Sequence, residues 1–361
     1  MIVYFCPSNT GRIMATHTDF IEVETAKTSK INSVDFSNLN FGRVFTDHMF
    51  VCDYEDGKWL KPKILPYQAL TIEPSARVFH YGQAVFEGMK AYKDDEGKIF
   101  LFRPKQNFER INKSAARLAM PEFPESYFFE GLETLLKLDS AWIKPGVGNS
   151  LYLRPFVIAT EPAISASPAH NYKFLIICSP AQSYYNSPVR VLIAEQFSRS
   201  ADGGVGYAKA AGNYAAQFYP TQLAQKEGFQ QIIWTDANTH TYLEEAGTMN
   251  VFFRIGNKLI TAPNNDRILD GVTRKSIIQL AEDLGIACEV RQIKVEEIKE
   301  AIQLLPDGYR IVLSLYLIEG YDHDEISEIL NISNSTSRSQ FARARKKLIE
   351  CLKKEEIEKT N

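Results

Sequence analysis

The hydrophobic pattern of this 361-residue chain changes character near residue 304, and that change limits the folds open to it. From Val44 to about residue 303, short apolar runs typical of β-strands alternate with amphipathic helical segments and turn signals. After residue 304 the apolar residues follow a helical spacing instead. The sequence therefore predicts a mixed strand-and-helix core followed by a small all-helical unit.

The length and composition indicate a folded protein of two or three packing units. Hydrophobic residues make up 45% of the chain and charged residues 24%, which excludes a disordered chain, a collagen-like fibre and a coiled-coil rod. The 41 Lys and Arg residues against 44 Asp and Glu residues give a net charge of −3. A chain with this balance has no general attraction for nucleic acid, so any DNA-binding element must be local.

The cysteines and the apolar runs bear on metal binding and location. Five cysteines lie far apart, without a C-x-x-C motif or a histidine at ligand spacing, so the sequence predicts neither a metal site nor a disulfide framework. No run of about 18 apolar residues predicts a membrane segment or a membrane partner. Residues 1–14 are broken by Pro7 and Gly11, unlike a signal peptide, and we expect a cytoplasmic protein.

Local patterns predict the main elements of the first part of the chain. Apolar runs predict buried strands over 149–160 and 171–181, and helical spacing predicts amphipathic helices over 103–120 and 126–143. The sequence D-D-E-G at 94–97 is typical of a hairpin turn.

An irregular stretch at 184–188 predicts a link to a second unit. There we expect a helix from about Asn213 to Gly228, a strand over 249–256 and a helix that begins at Asp270–Gly271. The resulting domain prediction is an arm over 1–30, a first domain over 31–186, a second over 187–303 and a helical unit over 304–361.

Three motifs in the second half carry residues suited to chemistry. Lys209 lies among Gly, Ala and Tyr residues, where desolvation would lower its pKa toward a nucleophilic amine able to form a Schiff base. Glu245 follows a strand-like run and is suited to pair with a protonated heterocyclic nitrogen. Residues 267–276 offer backbone N–H groups at a helix start, which suits a phosphate. Taken one at a time, the motifs also fit a surface lysine, a strand-end glutamate and a helix cap.

Together these motifs belong to a longer series of strings. The series reads FGRVFTDHMF, FHYGQAVFEGMKAY, FRPKQNFERINKSAARLAMP, LYLRPFVIATEP, GGVGYAKAAGNYAAQ, EEAGTMNVFF and ILDGVTRKSI. In this order, residues from about 31 to 303 resemble the branched-chain amino-acid aminotransferases, which are pyridoxal 5′-phosphate enzymes of fold type IV. The resemblance implies a two-domain α+β and α/β fold like that of D-amino-acid aminotransferase, with a small domain over 31–186 and an incomplete large cofactor-binding domain over 187–303.

The resemblance also implies roles for individual positions. Lys209 matches the lysine that holds the cofactor and moves the proton between the substrate Cα and the cofactor C4′ atom. Glu245 matches the partner of the pyridine nitrogen. The other cofactor positions are Arg110, Val272 and Thr273 at the phosphate and Tyr214 at the 3′ oxygen, although Arg110 also fits an exposed helix arginine. The pocket positions are Tyr81, Phe86, Tyr152, Arg154 and Thr248, each of which also fits plain core.

The reaction implied is transfer of the amino group of leucine, isoleucine or valine to 2-oxoglutarate by a ping-pong cycle in a homodimer. The family's chain continues beyond the position of residue 303 through a G-T-G-T-A-like turn that contacts the phosphate and the substrate carboxylate. Here another segment stands in that place. We therefore expect an open wall in the site and weakened activity.

The segment after residue 304 has the spacing of a helix-turn-helix, with helices predicted over 309–319, 323–330 and 336–354. Its strings LPDGYRIVLSLYLIEGYDHDEISEIL and STSRSQFARARKKL resemble region 4 of extracytoplasmic-function sigma factors, which reads a promoter element and contacts RNA polymerase. Region 2 of those factors has no counterpart in the chain, so the resemblance implies DNA or polymerase binding at most. The candidate DNA-binding residues are Ser335, Thr336, Arg338, Ser339, Arg343 and Arg345; a solvated basic helix is the alternative.

Three interpretations follow from the two resemblances. The first is an aminotransferase that tolerates a foreign tail. The second is a DNA- or polymerase-binding module on an inactive aminotransferase scaffold. The third is a chimera made by gene rearrangement or sequence assembly.

Overall fold

The structure is a computed structural model that describes residues 2–5, 20–182, 189–255, 257–298, 323–344 and 346. The chain divides into two compact units. Unit 1 comprises Met1–Asn186 and Ala208–Gly212, and unit 2 comprises Ser187–Tyr207 and Asn213–Asn361. The short segment that carries Lys209 thus packs with unit 1, although the chain on either side of it belongs to unit 2.

Unit 1 is built on a ten-stranded sheet with the order β1-β8-β7-β9-β10-β3-β5-β2, in which β4 pairs with β3 and β6 with β9. The strands are β1 (Ile2–Phe5), β2 (Glu22–Val23), β3 (His48–Glu55), β4 (Lys58–Trp59), β5 (Lys63–Pro66), β6 (Ala84–Phe86), β7 (Met89–Lys93), β8 (Ile99–Phe102), β9 (Ser150–Ala159) and β10 (Tyr172–Ala181). The helices are α1 (Arg77–Tyr81), α2 (Pro104–Arg117) and α3 (Glu125–Leu138). The strands predicted over 149–160 and 171–181 and the helix predicted over 103–120 are confirmed. The helix predicted over 126–143 ends at Leu138, and a short 3-10 helix follows at Ser140–Trp142.

The hairpin between β7 and β8 is also confirmed. The amide of Gly97 donates to the carbonyl of Asp94 at 3.1 Å, and Gly97 has a φ of +81° that favours glycine. The Asp94 carboxylate accepts bonds from the amides of Glu96 and Lys98. By contrast, the sequence analysis did not predict β1, which pairs in parallel with β8 at one end of the sheet order.

The core of unit 1 lies between the sheet and α3. Helical spacing places Phe128, Leu132 and Leu135 on one buried face of α3. Phe174 of β10 stacks on Phe123, with ring centroids 3.7 Å apart. Trp142 is buried, and its indole N–H donates to the Asp47 carboxylate at 2.8 Å.

Unit 2 contains two smaller sheets. One has the order β11-β12-β13-β14, with β18 on β13, and the other has the order β15-β16-β17. The strands are β11 (Val191–Ile193), β12 (Gln231–Thr235), β13 (Tyr242–Ala246), β14 (Met249–Asn250), β15 (Phe253–Ile255), β16 (Lys258–Thr261), β17 (Cys288–Val290) and β18 (Ile293–Lys294). The helices are α4 (Ala211–Ala215), α5 (Phe218–Lys226), α6 (Val272–Asp283), α7 (His323–Leu330) and α8 (334–344). Trp234 of β12 is buried with Ala194, Ala224 and Ile232.

Two sequence predictions for unit 2 are wrong. The single helix expected from Asn213 to Gly228 is interrupted between α4 and α5. Pro220 explains this, because it has no N–H to donate to the carbonyl four residues earlier and is tolerated only in a first helical turn. The strand expected over 249–256 is divided into β14 and β15, which belong to different sheets.

Two further findings concern the described residues only. None of their helices combines the length and the apolar character needed to cross a membrane. No cluster of three or more His, Cys, Asp or Glu residues suited to a metal ion occurs among them.

Candidate active site

The backbone of Lys209 is fastened to two elements of unit 1. Its carbonyl accepts a hydrogen bond from the amide of Phe86 at 3.1 Å, at the end of β6. Its amide donates to the hydroxyl of Ser114 on α2 at 2.9 Å. Ala210 adds a β-bridge to Val85. The backbone of Lys209 is therefore held in place at the base of its side chain.

The side-chain amine of Lys209 lies in a site where water is largely excluded. Its Nζ atom is 4.9 Å from the centroid of the Phe86 ring. Burial lowers the pKa of Lys209 to about 8; the Glu87 carboxylate opposes this, and the charges of Arg110 and Arg154 reinforce it. A neutral, nucleophilic amine is consequently available close to neutral pH.

Arg110 projects from α2 into the same region. Only 10% of its side chain is exposed, so the alternative of an exposed helix arginine is wrong. Its Nε and Nη2 atoms donate to the two oxygens of Glu87 at 2.6 and 2.9 Å. Asn107 Nδ2 and the amide of Gly88 also donate to Glu87, at 2.8 and 3.0 Å.

Sequence reasoning missed Glu87, Asn107 and Ser114. A signal was available, because residues 107, 110 and 114 recur at the i, i+3, i+7 spacing of one helix face. That face is buried at Asn107 and Ser114, where an ordinary amphipathic helix would place apolar residues. Polar residues on a buried face indicate a built polar site.

Phe86, Tyr152 and Arg154 also come together in unit 1. The Arg154 guanidinium lies 4.6 Å from the Phe86 ring centroid and donates from Nη2 to the Tyr152 hydroxyl at 2.8 Å. A Cβ atom at Gly88 would lie 3.1 Å from Tyr152 Cζ and would overlap the hydroxyl oxygen. Tyr81 is placed differently, since it ends α1, is 48% exposed and donates to the carbonyl of Ile164.

Unit 2 holds Glu245 as a fixed buried carboxylate on β13. Its Oε1 atom is 2.7 Å from Nη1 of Arg199. Its Oε2 atom accepts bonds from Asn250 Nδ2 at 3.0 Å and from the amide of Leu269 at 3.3 Å. Arg199 is held in turn by the carbonyls of Gly206 and residue 267. The alternative of an ordinary strand-end glutamate does not account for this set of donors.

The N-terminus of α6 has no side-chain cap. Gly271 precedes it, and Val272 and Thr273 are its first two residues. A Cβ atom at Gly271 would lie 3.0 Å from Asn250 Cγ and would overlap the amide oxygen, so a larger residue would force the Asn250 side chain to move. The amides of a first helical turn have no intrahelical acceptor and attract anions.

The remaining predicted positions in unit 2 differ in exposure. Tyr214 lies on α4 and is half-buried, and Thr248 is exposed in the turn between β13 and β14. Val272 is buried, whereas Thr273 is exposed.

The C-terminal helices α7 and α8 pack through a small buried set, in which Ile326, Ser337 and Ala344 are fully shielded. The hydroxyl of Ser333 accepts a bond from the amide of Thr336 at 3.0 Å and caps α8. On the other face of α8, Ser335, Arg338 and Arg343 are exposed, and Thr336 and Ser339 are half-buried. The side chain of Arg345 and the helix predicted over 309–319 lie outside the described residues.

Comparison with known proteins identifies the family of the chain. Residues 84–305, more than half of its length, match the family model for amino-transferase class IV. The chain belongs to the class IV aminotransferases. Branched-chain-amino-acid aminotransferase 2 of Bacillus subtilis (strain 168) is 46% identical over 285 residues, covering 78% of each chain. A probable branched-chain-amino-acid aminotransferase of Staphylococcus aureus (strain N315) is 43% identical over 314 residues, covering 86% of this chain and 82% of the relative.

Solved structures confirm fold type IV for this class IV aminotransferase. The branched-chain aminotransferase of Thermoproteus uzoniensis matches with a TM-score of 0.60 at 24% identity, over 70% of this chain and 81% of that chain. The Escherichia coli enzyme matches with a TM-score of 0.58 at 22% identity, over 69% and 79%. Residues 295–348 match the model for sigma-70, region 4, which confirms the second resemblance.

Proposed function

We propose that the chain is a branched-chain amino-acid transaminase, which moves the amino group of leucine, isoleucine or valine to 2-oxoglutarate with pyridoxal phosphate as cofactor. The observation that carries the proposal is the backbone-fastened Lys209, whose burial lowers its pKa to about 8. The names of the relatives, at 43–48% identity, support the substrate class.

The donors present fit this cofactor. Pyridoxal phosphate needs an amine for its aldehyde, an anion for its ring nitrogen and donors for its phosphate. Lys209 offers the amine and Arg110 a phosphate donor in unit 1. Glu245 offers the anion and the uncapped start of α6 the amides in unit 2.

When bound, the cofactor supplies a carbonyl for amine exchange and a ring that accepts electrons. The neutral Lys209 Nζ takes the proton from the substrate Cα. Glu245 would keep a proton on the pyridine nitrogen, since Arg199 and two N–H donors fix its buried carboxylate in place. Arg110, Val272 and Thr273 bind the phosphate, and Tyr214 donates to the 3′ oxygen.

The substrate side of the proposal uses the remaining positions. Arg154 and Tyr152 meet the substrate carboxylate, since a guanidinium and a hydroxyl both donate to carboxylate oxygens. As the resemblance implies, we assign Phe86, Tyr81 and Thr248 to the aliphatic side chain of the substrate.

An absorption spectrum of the purified protein with pyridoxal phosphate tests the proposal. We expect a band of lysine-bound cofactor that is lost on addition of leucine and returns with 2-oxoglutarate. Lys209→Ala abolishes the band, whereas Lys105→Ala, at an exposed position of α2, retains it. A band that persists in Lys209→Ala would remove the assignment of the lysine.

A second proposal concerns the C-terminal unit. We propose that it binds DNA or RNA polymerase, with Ser335, Thr336, Arg338, Ser339, Arg343 and Arg345 at the interface. The match of residues 295–348 to sigma-70, region 4 and the exposure of Arg338 and Arg343 support it. It competes with the transaminase as the working function of the chain.

Three further predictions concern the assembly, the location and the domains of the protein. The first is that the protein forms a homodimer. The second is a cytoplasmic location, in which Cys52 and Cys178 remain free thiols. The third is a division into functional domains over 31–186, 187–303 and 304–361.

A further inference from the structure

Glu87 is a fully buried carboxylate of unit 1 that pairs with Arg110. It is 0% exposed and follows the last residue of β6, where its amide donates to the carbonyl of Pro155 on β9 at 2.7 Å. A buried charge is stable only when it is paired and hydrogen-bonded. Four donors satisfy this carboxylate: two nitrogens of Arg110, the amide of Asn107 and the backbone amide of Gly88.

The pairing with Arg110 fixes the direction of the guanidinium. Its Nε and Nη2 atoms form a fork on the two carboxylate oxygens, at 2.6 and 2.9 Å. Such bidentate pairs set the plane and orientation of the guanidinium as well as its charge. The arginine that we assign to the phosphate is therefore oriented by the protein itself.

The same carboxylate acts on Lys209. Four charged or titratable side chains face its amine: Glu87, Arg110, Tyr152 and Arg154. Of these, Arg110 and Arg154 disfavour a protonated amine, and Glu87 and Tyr152 favour it. Glu87 is the carboxylate of this set, and its pairing with Arg110 holds it in place.

We propose that Glu87 is a positioning residue, which orients Arg110 for the phosphate and holds a negative charge within the buried set that also contains the Lys209 amine. This inference rests on the proposed function for its purpose, but its test requires no cofactor and no turnover. Glu87 touches neither reactant; it acts through Arg110 and Lys209.

Competitive labelling of the cofactor-free full-length protein with acetic anhydride, read at the Lys209 peptide by mass spectrometry across pH, tests the inference. In the unsubstituted protein we expect labelling to rise with a midpoint near pH 8. Glu87→Gln keeps the shape and removes the charge, so the midpoint falls by about 1 to 3 pH units, the range for loss of a nearby opposite charge. Glu109→Gln, an exposed neighbour on α2, leaves the midpoint unchanged.

Two further variants distinguish an effect of charge on the Lys209 midpoint from an effect of damage to the fold. Arg110→Gln removes a like charge and moves the midpoint of Lys209 upward, opposite to Glu87→Gln, which general damage to the fold would not produce. Glu87→Asp keeps the charge and shortens the reach, so the midpoint stays near that of the unsubstituted protein.

Each outcome bears on the inference. A midpoint in Glu87→Gln equal to that of the unsubstituted protein would overturn it. If Glu87→Gln does not fold, the test depends on Arg110→Gln. In that case a Lys209 midpoint in Arg110→Gln that is unchanged or lowered overturns the inference. Failure of the proposed function would appear instead as absence of the cofactor band in a protein whose Lys209 titrates as described.

Discussion

The hydroxyl of Ser114 accepts a hydrogen bond from the backbone amide of Lys209 at 2.9 Å while it donates to the carbonyl of Arg110 at 2.8 Å. One buried side chain thus connects the chain segment of the lysine to the helical turn of the arginine. The residues assigned to the aldehyde and to the phosphate of the cofactor are thus linked through one side chain within unit 1.

Removal of that hydroxyl should loosen the connection. In Ser114→Ala the amide of Lys209 loses its acceptor, and we expect the free energy of unfolding to fall by about 1–3 kcal/mol, the cost of an unsatisfied buried donor. Chemical denaturation measures the change. Ser126→Ala, at an exposed position of α3, is the matched control. Equal stability of the two variants would contradict the role given to Ser114.

The lowered pKa of Lys209 makes stability depend on pH in a defined direction. The amine titrates at about 8 in the folded chain against the ordinary value of 10.5, so the unfolded chain binds more protons between these two values. The contribution of Lys209 to the free energy of unfolding therefore rises from pH 8 to pH 10.5. Lys209→Met removes this dependence and stabilises the cofactor-free protein on the order of 3 kcal/mol below pH 8. Denaturation of both proteins at pH 7 and pH 10 checks the sign; a larger gain at pH 10 would refute it.

Packing in α3 leaves no room at Gly131. A Cβ atom there would lie 2.7 Å from Cδ2 of the Phe50 ring, so Gly131→Ala overpacks the core. We expect a loss of about 1–3 kcal/mol in the free energy of unfolding. Gly212→Ala adds a Cβ atom that meets no neighbour within 4 Å and should leave stability unchanged or slightly raised. Thermal unfolding compares the two, and a Gly131→Ala variant as stable as Gly212→Ala would show that Phe50 can move aside.

Glu245→Gln tests the anion assigned to the pyridine nitrogen. The amide retains the size of the side chain but not the charge, and we expect turnover to fall by about two orders of magnitude or more, on the scale of losing one preorganised electrostatic group. The rate of the leucine half-reaction measures it. Circular dichroism must confirm an intact fold, because the change leaves Arg199 facing a neutral group. Turnover within a few-fold of the original would exclude Glu245 from this role.

Arg338 and Arg343 should govern any DNA binding by α8. Their joint replacement by alanine removes two phosphate contacts, so affinity falls and the slope of log affinity against log salt decreases by about 2. Fluorescence anisotropy with duplex DNA at several salt concentrations measures both quantities. Lys226→Ala, an exposed basic residue of α5, is the control. Identical slopes in all three proteins would assign binding to another surface.

Local sequence patterns predicted the strands and helices of unit 1, because β9 and α3 bury residues at the spacing that their own geometry sets. The apolar spacing failed where a single residue overrides it: it predicted one helix from Asn213 to Gly228, but Pro220 favours a new helix start, and the chain forms α4 and α5 instead. It was also not applied at β1, whose four β-branched and aromatic residues favour a strand but do not indicate pairing with the distant β8.

The residues of the candidate site were predicted unevenly for a related reason. Lys209 is conspicuous because its neighbours in sequence are apolar or small, and Glu245 because Ala-Gly-Thr follows it on a strand-like run. Glu87 is separated from Arg110 by 23 positions, and a carboxylate next to a glycine gives no indication of that distant partner. Only the packing of α2 against β6 brings the two together.

The positions of the tryptophans make the two units separately observable. Trp59 and Trp142 lie in unit 1 and Trp234 lies in unit 2, and they are the three tryptophans of the chain. Trp142 and Trp234 are both 1% exposed, so each should shift its emission to longer wavelength when its own unit unfolds. A Trp234→Phe protein would report unit 1 by fluorescence, and a protein with phenylalanine at positions 59 and 142 would report unit 2. Two different transitions would show that the units unfold independently, and coincident ones that they unfold together.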